Sequence, residues 1–174
     1  NITTEQAADI NFTNTGVGVA GMIDFASVNN SGDVTTYSWN FGDTNTSTDP
    51  SPLHTFAVAG EYEVELQVQS AAGCNNFTRQ IIKVYDEPAP NFTAPSGTIC
   101  TNEQYNFTNN TIDNFDGYLT YEWQVDGLTV GTGRELNYTL TTGGDKEVKL
   151  ITSIPGCSTE QIQTLNNVVE GAIP

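Results

Sequence analysis

Few residues of this chain have types and spacing that could do chemistry, and the single histidine is the first of them. His54 lies in a strand-like segment, and neither a Gly-x-Ser-x-Gly nor a His-Glu-x-x-His motif accompanies it. Glu61, Glu63 and Glu65 alternate along one segment, so they point the same way from one strand face and do not oppose each other across a cleft. We therefore predict no catalytic residue and interpret His54 as a structural hydrogen-bonding residue.

Oxygen ligands for a cation are a second candidate. Asn29, Asp33, Asn40 and Asp43 are placed to converge at one end of a first domain, and calcium prefers such oxygen ligands. Their spacing matches no EF-hand loop, so calcium binding near Asn29, Asp33 and Asp43 stays an open alternative. The three cysteines form no Cys-x-x-Cys motif and no Cys/His cluster, so a zinc site is not expected. We assign no metal and no cofactor.

The charge of the chain restricts its partners. The formal net charge is −16, with only five lysines and arginines in 174 residues. No basic cluster is available to neutralise phosphates, so nucleic acid is excluded as a partner. No stretch of about 18 apolar residues occurs, so membrane insertion is not expected.

The elements that must hold these residues are strands. Residues 61–69 alternate polar and apolar side chains without a break, which is typical of a half-buried strand. Trp39 shares one face of an earlier segment with two other aromatic residues, and residues 121–125, which contain Trp123, are the corresponding central strand of a second copy. No apolar stripe with a helical period appears. We predict an all-β fold of antiparallel immunoglobulin-like sandwiches.

The chain also repeats itself. Trp39 corresponds to Trp123 and Gly60 to Gly144, each pair 84 residues apart. A self-similarity of this length indicates a duplicated module in which each copy closes its own core. We expect the chain to be a fragment of a longer protein. The predicted parts are a polar lead-in (1–9), a first sandwich (10–86), a short, fairly stiff proline-rich linker (87–90) and a second sandwich (91–174).

Three segments of the first copy form a specific set of motifs. They are Tyr-Ser-Trp-Asn-Phe-Gly-Asp at 37–43, Pro-Leu-His-Thr-Phe at 52–56 and Gly-Glu-Tyr-Glu-Val-Glu-Leu at 60–66. Together they closely resemble the polycystic kidney disease (PKD) domain, and the resemblance covers roughly residues 10 to 85. The second copy resembles a divergent member of the same family. The resemblance implies an interaction module found in tandem on bacterial surface proteins, such as adhesins of gliding bacteria, and in secreted enzymes.

The motif residues make physical sense as a scaffold. Trp39 fills the centre between the sheets, as Trp123 does in the second copy, and we favour this interpretation over sugar stacking. Gly42 permits a turn with positive φ, and Asp43 accepts backbone N–H bonds in that turn. The full set of structural motif residues is Trp39, Phe41, Gly42, Asp43, His54 and Trp123.

The resemblance also suggests a pairing for two cysteines. In related surface modules, residues at the positions of Cys100 and Cys157 face each other across the sandwich, so we predict a disulfide between them. A disulfide implies an oxidising location. Cys74 has no early counterpart in the first copy, and we interpret it as a small buried thiol.

These observations predict a non-catalytic structural and adhesive module of a larger extracellular, cell-surface or secreted protein. The expected partners are other modules of the same chain and a surface protein or polysaccharide ligand. The alternative is a pair of polysaccharide-binding accessory domains in a secreted hydrolase. In that case exposed aromatic residues of the second copy would form a stacking platform. The candidates for it are Tyr105, Phe115, Tyr118 and Tyr121.

Overall fold

The computed structural model describes residues 10–13, 22–29 and 33–171, and the regular elements of these ranges are all β-strands. The predicted lead-in over 1–9 lies outside the described residues. No described segment forms a helix long and apolar enough to cross a membrane. The strands are β1 (Ile10–Thr13), β2 (Met22–Asp24), β3 (Ala26–Asn29), β4 (Val34–Asn40), β5 (Thr46–Ser47), β6 (Leu53–Thr55), β7 (Gly60–Ser70), β8 (Asn75–Val84), β9 (Phe92–Thr93), β10 (Gln104–Asn109), β11 (Thr120–Val125), β12 (Leu128–Gly131), β13 (Leu136–Thr139), β14 (Gly144–Ile154) and β15 (Cys157–Val168).

The chain divides into two compact units, Asn1–Asp86 and Glu87–Pro174. In the first, the four-stranded antiparallel sheet β5-β4-β7-β8 shares a core with the pair β2-β6, and β1 pairs with β3. The perfectly alternating segment predicted as a strand is β7, and its apolar residues, such as Val64 and Leu66, are fully buried. They pack around Trp39 in a core that also contains Phe25 and Phe56. The predicted β-sandwich is confirmed for this unit.

The second unit has the same plan. Its four-stranded sheet is β12-β11-β14-β15, and its second sheet is β13-β10-β9. Trp123 is fully buried between them with Phe107, Leu150 and Phe92. Residues 87–90, which the sequence analysis assigns to a linker, belong to this unit, and the Pro88 carbonyl accepts a hydrogen bond from a β15 hydroxyl.

The duplication is visible in the register of the two large sheets. Trp39 pairs with Leu66 in the first unit, and Trp123 pairs with Leu150 in the second. Each indole Nε1–H also donates to a backbone carbonyl ten residues further along the chain. The acceptor is Asp49 at 2.9 Å for Trp39, and it is Gly133 at 3.0 Å for Trp123. The repeat read from the sequence is therefore a repeat of hydrogen bonds as well as of core residues.

The disulfide predicted between Cys100 and Cys157 is not formed, because the two thiols lie at opposite ends of β15. Cys157 pairs with Ile154 where β15 begins, whereas Cys100 forms a parallel bridge with Val169 just after β15 ends. A strand of 12 residues separates the two ends by roughly 35 Å at ~3.3 Å per residue. Disulfides need Cα atoms within about 7 Å. Both cysteines are accordingly free thiols.

Cys74 also differs from its predicted state. It follows the turn between β7 and β8, where the Ser70 amide donates to its carbonyl at 2.9 Å, and its side chain is exposed. The interpretation of Cys74 as a buried thiol is wrong because a hairpin turn projects beyond both sheets and leaves its residues in solvent.

Candidate functional site at the Gly42–Asp43 turn

The turn after β4 depends on the backbone freedom of Gly42. Its φ is +78°, and a Cβ built at this position would lie 2.7 Å from the Glu63 carbonyl oxygen. The Gly42 amide donates to the Asn40 side-chain carbonyl at 3.0 Å. Conformation and space both require glycine here, since any side chain would be strained and would collide with the neighbouring strand β7.

Asp43 is the centre of the polar contacts in this turn. Its Oδ1 accepts the Asn45 backbone amide at 3.1 Å, and its Oδ2 accepts the Asn45 side-chain amide at 3.0 Å. The same Oδ2 lies 2.8 Å from His54 Nε2. Burial raises the pKa of the Asp43 carboxyl, but the hydrogen bonds from Asn45 and His54 outweigh it and hold that pKa below its ordinary value. Asp43 is therefore a carboxylate that organises the turn.

The His54 ring is held in the aromatic part of the first core. It stacks on Phe41 with ring centroids 4.0 Å apart and meets Phe56 edge-on at 4.7 Å. Its side chain is only 11% exposed. A general base must reach its substrate proton directly or through one water. With Nε2 directed at Asp43 and a ring face covered by Phe41, His54 fastens β6 to the turn instead of facing a cleft.

The proposed calcium ligands are engaged in this local structure or lie outside it. The Asn29 side chain is outside the described residues. Asn40 accepts the Gly42 amide, and both oxygens of Asp43 already accept hydrogen bonds. In the described part of the chain, no group of three or more His, Cys, Asp and Glu side chains is placed to hold a metal ion.

The second unit has a different turn at the corresponding place. Asp126 has a φ of +49°, and Gly127 follows with a φ of +78°. The Asp126 carboxylate accepts the Glu147 backbone amide at 3.0 Å and lies 3.0 Å from Lys146 Nζ. The hydrogen bond from Lys146 lowers the pKa of Asp126, although burial partly opposes it. Here a lysine and a backbone amide take the place of the histidine.

The three glutamates of β7 lie on the outer face of the sheet, as their alternation predicts. Arg79 on β8 lies within hydrogen-bonding distance of Glu65 and 3.7 Å from Glu63. A hydrogen bond from Arg79 lowers the pKa of Glu65. The three side chains therefore lie along one solvent-facing strand face and do not oppose one another across a gap.

The aromatic residues suggested for a stacking platform in the second unit differ in the sheet they belong to and in their exposure. Tyr105 lies on β10 and Tyr121 on β11, in opposite sheets. Phe115 is buried, whereas Tyr118 is 45% exposed. Arg134 lies 6.0 Å from the Tyr121 ring centre. Alternation along the chain could not have revealed this, because residues 110–119 form a loop whose packing has no sequence period.

Two closed antiparallel sandwiches, each built around one tryptophan, place the chain in the immunoglobulin-like β-sandwich class. Its backbone is similar to that of the fibronectin(III)-like modules of Clostridium thermocellum CbhA. The TM-score is 0.54 at 20% identity, covering 94% of this chain and 95% of that one. The PKD domain family model matches residues 8–84, so the first unit of the chain belongs to the PKD domain family.

Relatives of known type match longer or shorter parts of the chain. The pre-pro-metalloprotease PrtV of Vibrio cholerae is 27% identical over 150 residues, which are 86% of this chain and 16% of PrtV. The collagenase ColA of Bacillus cereus is 39% identical over 57 residues, which are 33% of this chain and 6% of ColA. The chain thus spans a small fraction of the length of either relative.

Proposed function

We propose that this chain is a non-catalytic pair of β-sandwich modules that spaces domains and presents an interaction surface within a larger extracellular or cell-surface protein. The observation that carries the proposal is the state of His54, the single histidine of the chain. Its Nε2 faces Asp43, its ring stacks on Phe41, and its side chain is 11% exposed. His54, the residue best suited to acid–base chemistry, instead stabilises the Gly42–Asp43 turn. We propose the second unit as a divergent PKD domain with the same role.

The relatives favour one setting for these modules. PrtV is a metalloprotease and ColA a collagenase, and the chain matches only a small share of each. An accessory role beside the catalytic domain of a hydrolase is therefore our preferred setting. An adhesive role on a cell surface is the second candidate, and the tandem duplication of one module favours it.

The non-catalytic part of the proposal is tested by incubating the purified chain with casein, gelatin and a set of polysaccharides. We expect no turnover. We also expect His54→Gln to lower the melting temperature, because the variant loses the ring stacking on Phe41. Turnover that is abolished by His54→Gln, with the fold retained by circular dichroism, would overturn the proposal.

The two settings are separated by presenting the chain on inert beads. An accessory module is expected to retain the beads on particulate protein or polysaccharide, whereas an adhesive module is expected to retain them on cells stripped of such material. Retention on stripped cells alone would favour adhesion over the accessory role.

A further inference from the structure

The outer face of the large sheet in the first unit contains an open groove of about 330 Å³. Two cross-strand rows form its floor, and both are defined by the register of β4, β7 and β8. One row is Thr36–Gln69–Asn75 and the other is Ser38–Gln67–Phe77. Its size lies at the lower end of the range for small-ligand sites, which is about 300–1,000 Å³.

The side chains of these rows carry no charge, which is unusual in so acidic a chain. The chain carries 21 acidic residues and a net charge of −16, yet every side chain in the two rows is uncharged. Hydroxyl and carboxamide groups supply both donors and acceptors at short spacing. The groove is therefore matched to a neutral ligand with many hydroxyl groups, because anionic ligands are repelled by the rest of the chain.

The Phe77 ring, at the edge of the groove, is exposed to solvent and restrained by neighbouring side chains. Phe77 is 59% exposed. The Arg79 guanidinium lies 5.1 Å from the Phe77 ring centre, and Glu65 holds that guanidinium by a charge-assisted hydrogen bond. Glu65 also accepts from Gln67 Nε2 at 2.6 Å. These linked contacts restrain both the Phe77 ring and the Gln67 amide, so the two side chains lose little conformational entropy when a ligand binds.

The second unit lacks this combination at the same register. The row that corresponds to Ser38–Gln67–Phe77 is Glu122–Ile151–Glu160, since the three strands pair in the same order. It carries two carboxylates and no aromatic ring. The combination of uncharged rows with an exposed aromatic ring is thus a feature of the first unit's sequence and is not required by the shared fold.

We propose that this groove binds a segment of a neutral polysaccharide, with Phe77 stacking on a sugar ring and the amide and hydroxyl rows bonding its hydroxyl groups. The proposal rests on the interaction role given to the modules above. A peptide is disfavoured because the backbone groups of β4, β7 and β8 beneath the groove already pair in the ladder, which leaves no strand edge for a peptide to join. Phe77 is also the single aromatic side chain in the two rows.

Affinity electrophoresis of the full chain in gels containing neutral β-glucan, xylan, mannan or galactan tests the proposal. Alginate and gelatin gels provide the anionic and peptide arms. Retardation is expected in at least one neutral gel, and Phe77→Ala should weaken it by tenfold or more whereas Phe77→Tyr should preserve it. Gln67→Ala combined with Gln69→Ala should also weaken it.

Two control variants separate the groove from general surface effects. Ile81→Ala removes an apolar side chain of similar exposure, 61%, from the same strand outside the groove. Glu160→Ala changes the position of the second unit that matches Phe77. Both should leave retardation unchanged. Absence of retardation in every neutral gel, retention of binding by Phe77→Ala, or Phe77-dependent binding to gelatin or alginate would each overturn the glycan assignment. None of these results would by itself restore a catalytic role.

Discussion

The two turns that follow the central strands solve one structural problem with different chemistry. In the first unit, Asp43 is held by Asn45 and by a histidine that is stacked within aromatic residues. In the second, Asp126 is held by a backbone amide and by Lys146, and its side chain is 43% exposed. The core around the tryptophan is common to both. Both turns therefore contain a carboxylate, whereas the side chain that holds it is a stacked histidine in one unit and a lysine in the other.

The largest expected effect concerns the part that the two units share. Trp39→Ala and Trp123→Ala should each lower the free energy of unfolding of their own unit by about 3–5 kcal/mol, because each removes the largest fully buried side chain and leaves a cavity. The chain has two tryptophans, one in each unit, so the remaining indole reports on the unaltered unit. Urea unfolding followed by fluorescence and circular dichroism measures both. A loss that appears equally in the unaltered unit would contradict the separation of the cores.

An intermediate effect is expected from two glycines that share a φ of +78°. Gly42→Ala should cost about 2–4 kcal/mol, since backbone strain adds to a clash with the Glu63 carbonyl. Gly127→Ala should cost about 1 kcal/mol, because nothing lies within 4 Å of the added methyl group and only the strain remains. Thermal unfolding of the two variants measures the difference. Equal losses would show that the close approach to β7 is relaxed in solution.

The smallest expected effect is the loss of stability when Asp43 or Asp126 is replaced by asparagine. Its dependence on pH and salt should differ between the two residues. Asp43→Asn should lower stability at pH 7 by about 1–2 kcal/mol through the weakened hydrogen bonds. The folded-state pKa of Asp43 is below its ordinary value of 3.8, so its contribution is present above that value and is lost as the pH falls through the folded-state pKa. The difference between the variant and the native chain should therefore shrink below about pH 4.

Asp126→Asn is the matched variant for this test. Its loss should be smaller and should decline further in 1 M salt, because the Asp126–Lys146 pair is more exposed to solvent. The Asp43→Asn loss should change little with salt, since both side chains of the Asp43–His54 pair are below 15% exposed. Equal salt dependence of the two variants would remove the distinction between the turns.

Much of the fold could be predicted from the sequence because it depends on local alternation. The outward and inward faces of β7 follow directly from residues 61–69, and the register repeats between units because Trp39 and Trp123 occupy equivalent ladder positions. The disulfide was mispredicted because its basis was a likeness to other modules. The position of Cys100 is set by its bridge to Val169, 69 residues later, and no local pattern encodes that contact.

The candidate sites were less accessible to sequence reasoning. The motif pointed to Asp43 and His54, but the stacking of His54 on Phe41 requires two strands from opposite sheets to meet. The groove was missed because its rows combine residues from three strands, and their alignment depends on register. A signal was nevertheless present, since Phe77 occupies an outward-facing phase in β8 among polar residues.

The indole hydrogen bond of Trp39 has a consequence for the exposed border of its sheet. The border strand β5 has two residues, and the indole bonds the Asp49 carbonyl just beyond it. A slip of this strand by one residue would reverse the direction of its side chains. It would also break the indole bond to the Asp49 carbonyl, so that bond opposes the slip. A border this short and this firmly anchored offers little template for another copy to join, so this edge of the sheet is protected from edge-to-edge pairing.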